Sequence, residues 1–316
     1  MIFRFLASAT LVCSLIGLAG CKQKASSSPG AGSAGSTKAQ AAPITFPELG
    51  ASRLIQPGIR FQEATLQRGN LPMRVWYYEP EKAAGKLALV LVPPAGSTLF
   101  AGMELGEGDR AEHYPYVRAG FAVASFDLDG HVPDSERANN AALLKAAQEF
   151  RDAQAGLVNA GAALDFILAK VPNINPDQVY IAGHSSAATL ALLVAEQEPR
   201  IKACAAFAPI TDVEARLAEV APQLDRALPG YREFLQTSSP KTHAETLKCP
   251  VLLFHADDDE NVPVNQCTDF AAQLKKANPH VTLVSTPKGG HYDSMIREGI
   301  PKAIAWFRQI PPDNTP

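Results

Sequence analysis

The chain has 316 residues, of which 46% are hydrophobic and 19% charged, with a formal net charge of −3. That length and balance suit a globular protein with a sizeable core, of one large or two smaller domains. The slight acidic excess, with no basic cluster, argues against a nucleic-acid surface or a phosphate-rich partner.

At the N-terminus Arg4 precedes the apolar run Phe5 to Ala19, which is short for a membrane span and suits a secretory segment. The run ends in Leu18-Ala19-Gly20-Cys21, which resembles the lipobox of bacterial lipoprotein precursors. The resemblance implies a signal peptide over residues 1–20, with Cys21 lipidated as the mature N-terminus and holding the protein on the cell envelope. Residues 21–43 are rich in Ser, Gly and Ala and carry no acid, as a flexible tether does. With Cys13 removed and Cys21 lipidated, Cys204, Cys249 and Cys267 remain. An odd number argues against a full disulfide framework and leaves room for one bridge whose partners are open.

From residue 44 onward there is no second linker and no repeat, so residues 44–316 read as one domain. Gly58–Gln67 and Leu71–Tyr78 alternate about the turn Arg68-Gly69-Asn70 and predict an antiparallel pair at a sheet edge. Lys86–Val92 is a near-continuous apolar run, as buried parallel strands are, and ends at Pro93-Pro94-Ala95-Gly96-Ser97. A helix over Arg110–Gly120 leads to the strand Phe121–Leu128, which leaves Asp127 and Asp129 at its carboxyl end. The Ala-rich segment Ser135–Lys170 has helical periodicity, with Gly156 and Gly161 arguing against one unbroken helix.

Next comes Val179–Glu196, VYIAGHSSAATLALLVAE: a short apolar run, a Gly-His-Ser-Ser-Ala turn and a small-residue helix. This is the pattern of a nucleophile elbow with Ser185 at its tip. The chemistry needs that form because a serine hydroxyl must stand clear of the backbone, beside a base and free amides. Gly183 and Ala187 keep small the places where strand and helix pass, although the usual pattern has glycine in the second. The strand Ala203–Ile210, a polar helical insertion over residues 212–248, the strand Val251–His255, a helix over Asn265–Ala277, the strand Val281–Thr286 and a closing helix over Tyr292–Gln309 follow. Such alternation predicts an α/β fold: a mostly parallel, eight-stranded sheet with helices on both faces and a small cap at 212–248 that includes Tyr231 and Phe234. Ligands then bind beyond the carboxyl ends of the strands.

A serine nucleophile requires an acid and a histidine at later strand ends, in that order. Val251–His255 is followed by Ala-Asp-Asp-Asp-Glu-Asn-Val-Pro, and Val281–Thr286 by Pro-Lys-Gly-Gly-His-Tyr-Asp. His291 is the expected base, carried back over the sheet by Gly289-Gly290. The acid is one of Asp257, Asp258 and Asp259; Asp259, four residues before Pro263, is preferred, with Asp258 the alternate. The acidic run lacks the spaced ligands and glycine of a calcium loop, and neither a metal nor an organic cofactor is expected. Ser186 and Ala95, with Gly96 as alternate, are the expected oxyanion amides. Asp127, Asp129 and His131 are candidate pocket residues, with loop capping the competing reading. His184 reads as a packing residue of the elbow and a further candidate for the pocket, and His255 as a satisfied core histidine.

Elbow, acidic loop and Gly-Gly-His together resemble the α/β-hydrolases over about residues 61–310. Gly-His-Ser-Ser-Ala, Cys-Pro-Val-Leu-Leu-Phe-His-Ala-Asp-Asp-Asp and Gly-Gly-His-Tyr-Asp-Ser-Met are most similar to the catalytic domain of prolyl-oligopeptidase-type peptidases and to dienelactone-hydrolase-like proteins. The resemblance implies a Ser-His-Asp hydrolase working through an acyl-enzyme and puts the catalytic aspartate on Asp259. Such peptidases usually carry an N-terminal propeller, for which this chain has no room, so an esterase of small-molecule substrates is the first expectation. A peptidase of short peptides is the second, and a non-catalytic envelope-binding lipoprotein the third.

Overall fold

The apolar runs become the strands of one sheet in the computed structural model, which describes residues 46–312. The strands are β1 (Arg53–Gln56), β2 (Ile59–Arg68), β3 (Leu71–Pro80), β4 (Leu87–Leu91), β5 (Ala122–Phe126), β6 (Ile174–His184), β7 (Ala203–Phe207), β8 (Val251–Ala256) and β9 (Val281–Thr286). They lie in the order β1-β2-β3-β5-β4-β6-β7-β8-β9. Pairing is antiparallel from β1 to β5 and parallel from β5 onward. The central strands β5 and β7 are buried at every position, as expected of strands covered on both faces. Among the described residues nine strands stand where eight are predicted. The extra one, Arg-Leu-Ile-Gln, is mostly exposed and touches the sheet only through β2, so burial leaves no pattern in its sequence.

Helices cover both faces. On one, α1 (Arg110–Arg118) and the C-terminal α9 (Ile300–Phe307) bury Tyr116, Val117, Ile300, Ile304 and Phe307 against the sheet. On the other lie α3 (Leu157–Lys170), α4 (Ser186–Gln197) and α8 (Asn265–Leu274), contributing Phe166, Ile167, Leu192, Phe270 and Leu274 to the larger core. The Ala-rich segment is two helices, α2 (Asn140–Asp152) and α3, because the chain turns at Gln154–Gly156, where φ is positive at all three residues. The insertion forms α5 (Val213–Arg216), α6 (Ala221–Ala227) and α7 (Tyr231–Thr237). Tyr231 pins it: its hydroxyl donates to the carbonyls of Phe100 at 2.9 Å and Ala147 at 3.2 Å, and its ring packs beside Phe234. The closing helix begins later than predicted, since a π-turn over Met295–Gly299 precedes α9.

The connections fix where a ligand can sit. From β4 the chain moves outward to β5 on one side and then returns to β6 on the other, so the order reverses between β4 and β6. A crevice opens beyond the carboxyl ends of the strands at such a reversal. Residues 1–20 and 21–43, read as signal peptide and tether, lie outside the described residues. Among the described residues no helix is long and apolar enough to cross a membrane, and Cys204, Cys249 and Cys267 are buried free thiols.

Candidate active site

The strand β6 and helix α4 meet at Ser185, whose backbone has φ 56° and ψ −121°. A side chain rarely adopts that conformation, and here it turns the chain sharply enough to set the serine at the tip. The turn is held because the Ser185 amide donates to the Phe207 carbonyl at 2.9 Å on the neighbouring strand β7. Gly183 permits it: a Cβ there would stand 2.3 Å from the Ala187 carbonyl oxygen and 2.8 Å from the Ala188 nitrogen, both backbone atoms. As the first residue of α4, Ser186 has an amide with no carbonyl four residues back inside the helix, so its N–H is available to an anion.

The Ser186 side chain has a role that the sequence reading missed. Its hydroxyl oxygen accepts hydrogen bonds from the Gly96 and Ser97 amides, each at 3.0 Å, tying the loop after β4 to the elbow. The Gly96 amide is therefore engaged, and the alternate oxyanion assignment is corrected, whereas the Ala95 amide has no partner among the described residues. A lone serine after the elbow serine carries no signal for a contact 90 residues away.

The acidic loop after β8 and the glycine loop after β9 meet above the elbow. Asp259 Oδ2 lies 2.7 Å from His291 Nδ1, with the Asp259 side chain 1% exposed. Its Oδ1 accepts from the amides of Asn261 at 2.8 Å and Val262 at 3.0 Å, so both oxygens are fixed. Burial acts to raise this carboxyl, but hydrogen bonds from His255, His291 and the Val262 amide outweigh it and hold the group well below the usual carboxylate range. An ionised carboxylate only accepts, so His291 Nδ1 carries the proton and Nε2 the lone pair. His291 Nε2 is buried and has no hydrogen-bond partner among the described residues. The imidazole lies against the elbow, its ring centroid 4.4 Å from that of His184, the residue before Ser185.

Asp258, the alternate acid, does something else. Its carboxylate accepts from the amides of Gly290 at 2.8 Å and Gly289 at 3.2 Å, so it holds the backbone of the loop while its neighbour holds the ring. That assignment is corrected. At Gly289 φ is 123° and a Cβ would lie 2.9 Å from Ser294 Cβ, so the loop requires glycine there. His184 also holds His291: its Nε2–H donates to the His291 carbonyl at 2.9 Å. Burial pushes the His184 imidazole down to about 3, so it is neutral and its Nδ1 lone pair faces Glu112 Oε1 at 3.8 Å. Burial pushes that glutamate up to about 8. His255 is the second residue missed: beyond satisfying the Val262 carbonyl at 2.9 Å, its Nε2 lies 3.2 Å from Asp259 Oδ2.

The candidate pocket residues are otherwise occupied. Asp127 is gripped by the Arg74 guanidinium, the Arg74 amide and the Leu105 amide, and Asp129 by Arg68 and Asn159. His131 stands 3.8 Å from Glu104. These groups clamp the loop after β5, the competing reading of that segment. Among the described residues no group of three or more His, Cys, Asp or Glu side chains is arranged to hold a metal.

A strained serine, an imidazole with a fixed tautomer and free amides at a helix N-terminus are the parts that acyl transfer uses. Comparison with known proteins gives the family. Residues 109–310 match the prolyl oligopeptidase family. The uncharacterized peptidase YuxL of Bacillus subtilis (strain 168) is 24% identical over 164 residues, which are 46% of this chain and 24% of that protein. The chain thus spans about a quarter of that curated relative. Among solved structures, an acetyl xylan esterase from Paenibacillus sp. R4 superposes with a TM-score of 0.63 at 17% identity, over 85% of this chain and 90% of its own. An acylaminoacyl peptidase of Pyrococcus horikoshii superposes with a TM-score of 0.59 at 16% identity, over 79% of this chain and 40% of its own. With its fold of the α/β-hydrolase kind and the family match running through elbow, acidic loop and glycine loop, the chain belongs to the prolyl oligopeptidase family of serine hydrolases.

Proposed function

We propose that the protein hydrolyses an ester of a small molecule through an acyl-enzyme on Ser185. Ser185 Oγ attacks the carbonyl carbon while His291 Nε2 takes the hydroxyl proton, and the oxyanion accepts from the Ser186 and Ala95 amides. Collapse breaks the bond to the alcohol, which leaves with the proton from His291. Water, deprotonated by the same nitrogen, then releases the acid. Asp259 keeps Nδ1 protonated and stabilises the imidazolium. The observation that carries this reading is the buried 2.7 Å contact of Asp259 with His291, whose ring packs 4.4 Å from that of His184, the residue before the strained Ser185.

The coverage of solved structures favours an ester over a peptide bond: this chain spans 90% of the acetyl xylan esterase but 40% of the acylaminoacyl peptidase. Short peptides are the second reading, favoured by the family itself. Ser185→Ala is expected to abolish hydrolysis of short p-nitrophenyl esters, and turnover retained by that variant would refute the assignment. We further propose, from the sequence, that residues 1–20 are removed, that residues 21–43 tether residues 44–316, with a cap at 212–248, and that a lipid on Cys21 holds the protein on the cell envelope. Cys21→Ser should then move it from the membrane fraction to the soluble fraction; unchanged membrane association would contradict the anchor.

A further inference from the structure

A second feature lies beside this site. Between the loops after β7 and β8 is a cavity of about 260 Å³ lined by Ile210, Ala215, Arg216, Val262, Pro263 and Gln266. Hydrogen bonds link its lining to residues of the site on two sides. Val262 donates its amide to Asp259 and accepts from His255 through its carbonyl. The Ile210 carbonyl accepts from Thr189 Oγ1 at 2.8 Å, and that hydroxyl also lies 3.4 Å from the Ser185 carbonyl oxygen.

Two side chains that carry donors line the cavity, Arg216 and Gln266. On α5 and its cap, Asp212 pairs with Lys241 and Glu214 with Arg232, so both acids are neutralised. Arg216, exposed on the same helix, has no ion pair among the described residues; its guanidinium donates only to the neutral Asn261 Oδ1 at 3.3 Å. The nearby acids Asp258 and Asp259 are committed to the glycine amides and the histidines. Gln266 Oε1 accepts from the Thr211 amide at 3.0 Å, the Thr211 hydroxyl at 3.1 Å and the Asp212 amide at 3.0 Å. Three donors on one oxygen fix the orientation of the amide, and its NH2 group has no partner among the described residues. Ile210, Val262 and Pro263 supply apolar wall.

Resting on the esterase reading above, we propose that this cavity is the subsite for a carboxylate at the far end of the substrate's acyl chain, with Arg216 as its counter-ion and the Gln266 NH2 as a second donor. A planar guanidinium matches a carboxylate in two parallel hydrogen bonds, and the apolar walls suit the methylenes between that carboxylate and the scissile carbonyl.

The test compares p-nitrophenyl monoesters of glutaric, adipic and suberic acid with the neutral p-nitrophenyl hexanoate. The wild type should show a higher kcat/KM for at least one monoester than for hexanoate, and the advantage should shrink as salt is raised. Arg216→Gln should lower the ratio of monoester to hexanoate kcat/KM about tenfold or more, Arg216→Lys should lower it less, and Arg216→Glu should invert the preference. A ratio that moves less than about twofold in Arg216→Gln, with the melting temperature of the wild type retained, overturns the subsite. Ser185→Ala is assayed in parallel: if it still turns over either ester, the esterase reading and the subsite fall together. If it is inactive and the ratio does not respond to Arg216, the subsite alone is wrong.

Discussion

Replacing Asp259 by Asn tests the electrostatic half of the proposed mechanism at one atom. Oδ1 receives two amides, from Asn261 and Val262, so the carbonyl oxygen of the new side chain has to stay there. The NH2 group then occupies the Oδ2 position, 2.7 Å from His291 Nδ1 and 3.2 Å from His255 Nε2. Facing a donor, His291 shifts its proton to Nε2 and loses the lone pair that accepts from Ser185. His255 meets the same clash while its Nε2–H is engaged by the Val262 carbonyl, so the loop loses a second support. A wrong tautomer in a comparable triad costs about 10⁴ in kcat. The expectation here is a fall of roughly 10³ to 10⁴ in kcat, about 4 to 5.5 kcal/mol of barrier, with KM changed far less. Asp258→Asn should cost under about tenfold, because Asp258 holds exposed loop amides rather than the imidazole. The assay is steady-state hydrolysis of a short p-nitrophenyl ester, normalised to folded protein by circular dichroism. If Asp259→Asn keeps more than about a tenth of wild-type kcat, or Asp258→Asn is the more damaging, the assignment of roles is wrong.

Gly183→Ala should destabilise by about 3 kcal/mol or more and abolish hydrolysis, because its Cβ meets backbone atoms of α4 at 2.3 Å and 2.8 Å that no side-chain rotation can clear; a wild-type melting temperature with full activity would refute the close approach. Glu112 gives a pH-dependent stability difference. Its folded value is raised to about 8 from an ordinary 4.5, so between those values the folded state holds a proton that the unfolded chain has released, and stability falls as pH rises through that window. Glu112→Gln should therefore match the wild type at pH about 4.5 and exceed it at pH about 9, by at most on the order of 5 kcal/mol. A difference between the two proteins that is constant with pH in thermal melts would show that Glu112 is not buried in that way.

The sequence made the strand ends legible because β4 to β8 are buried on both faces and read as apolar runs, so the residues just past them could be named. Ser185 and Asp259 were reached in that way and His291 by its place after the half-exposed β9 in the required chain order, and the structure brings the loops that carry them together. Long-range polar partners were not legible. Asp127 and Asp129 sit at a strand end as pocket residues would, but Arg74 and Arg68 come from β3 and β2, 53 and 61 residues earlier, to occupy them. The Ser186 hydroxyl likewise finds its donors across the crevice, and no periodicity encodes such a contact. His255 was read as a satisfied core histidine, and its Nε2 is satisfied; the reach of that same atom to Asp259 depends on how the loop from 257 to 262 folds back. Strand β1 went unseen because its side chains are mostly exposed.

The most direct test is mass spectrometry of the full chain after treatment with a fluorophosphonate probe. The account predicts one adduct, on the peptide carrying Ser185, and none in the Ser185→Ala protein. An adduct on another residue of the wild type, or labelling that survives in Ser185→Ala, would contradict it.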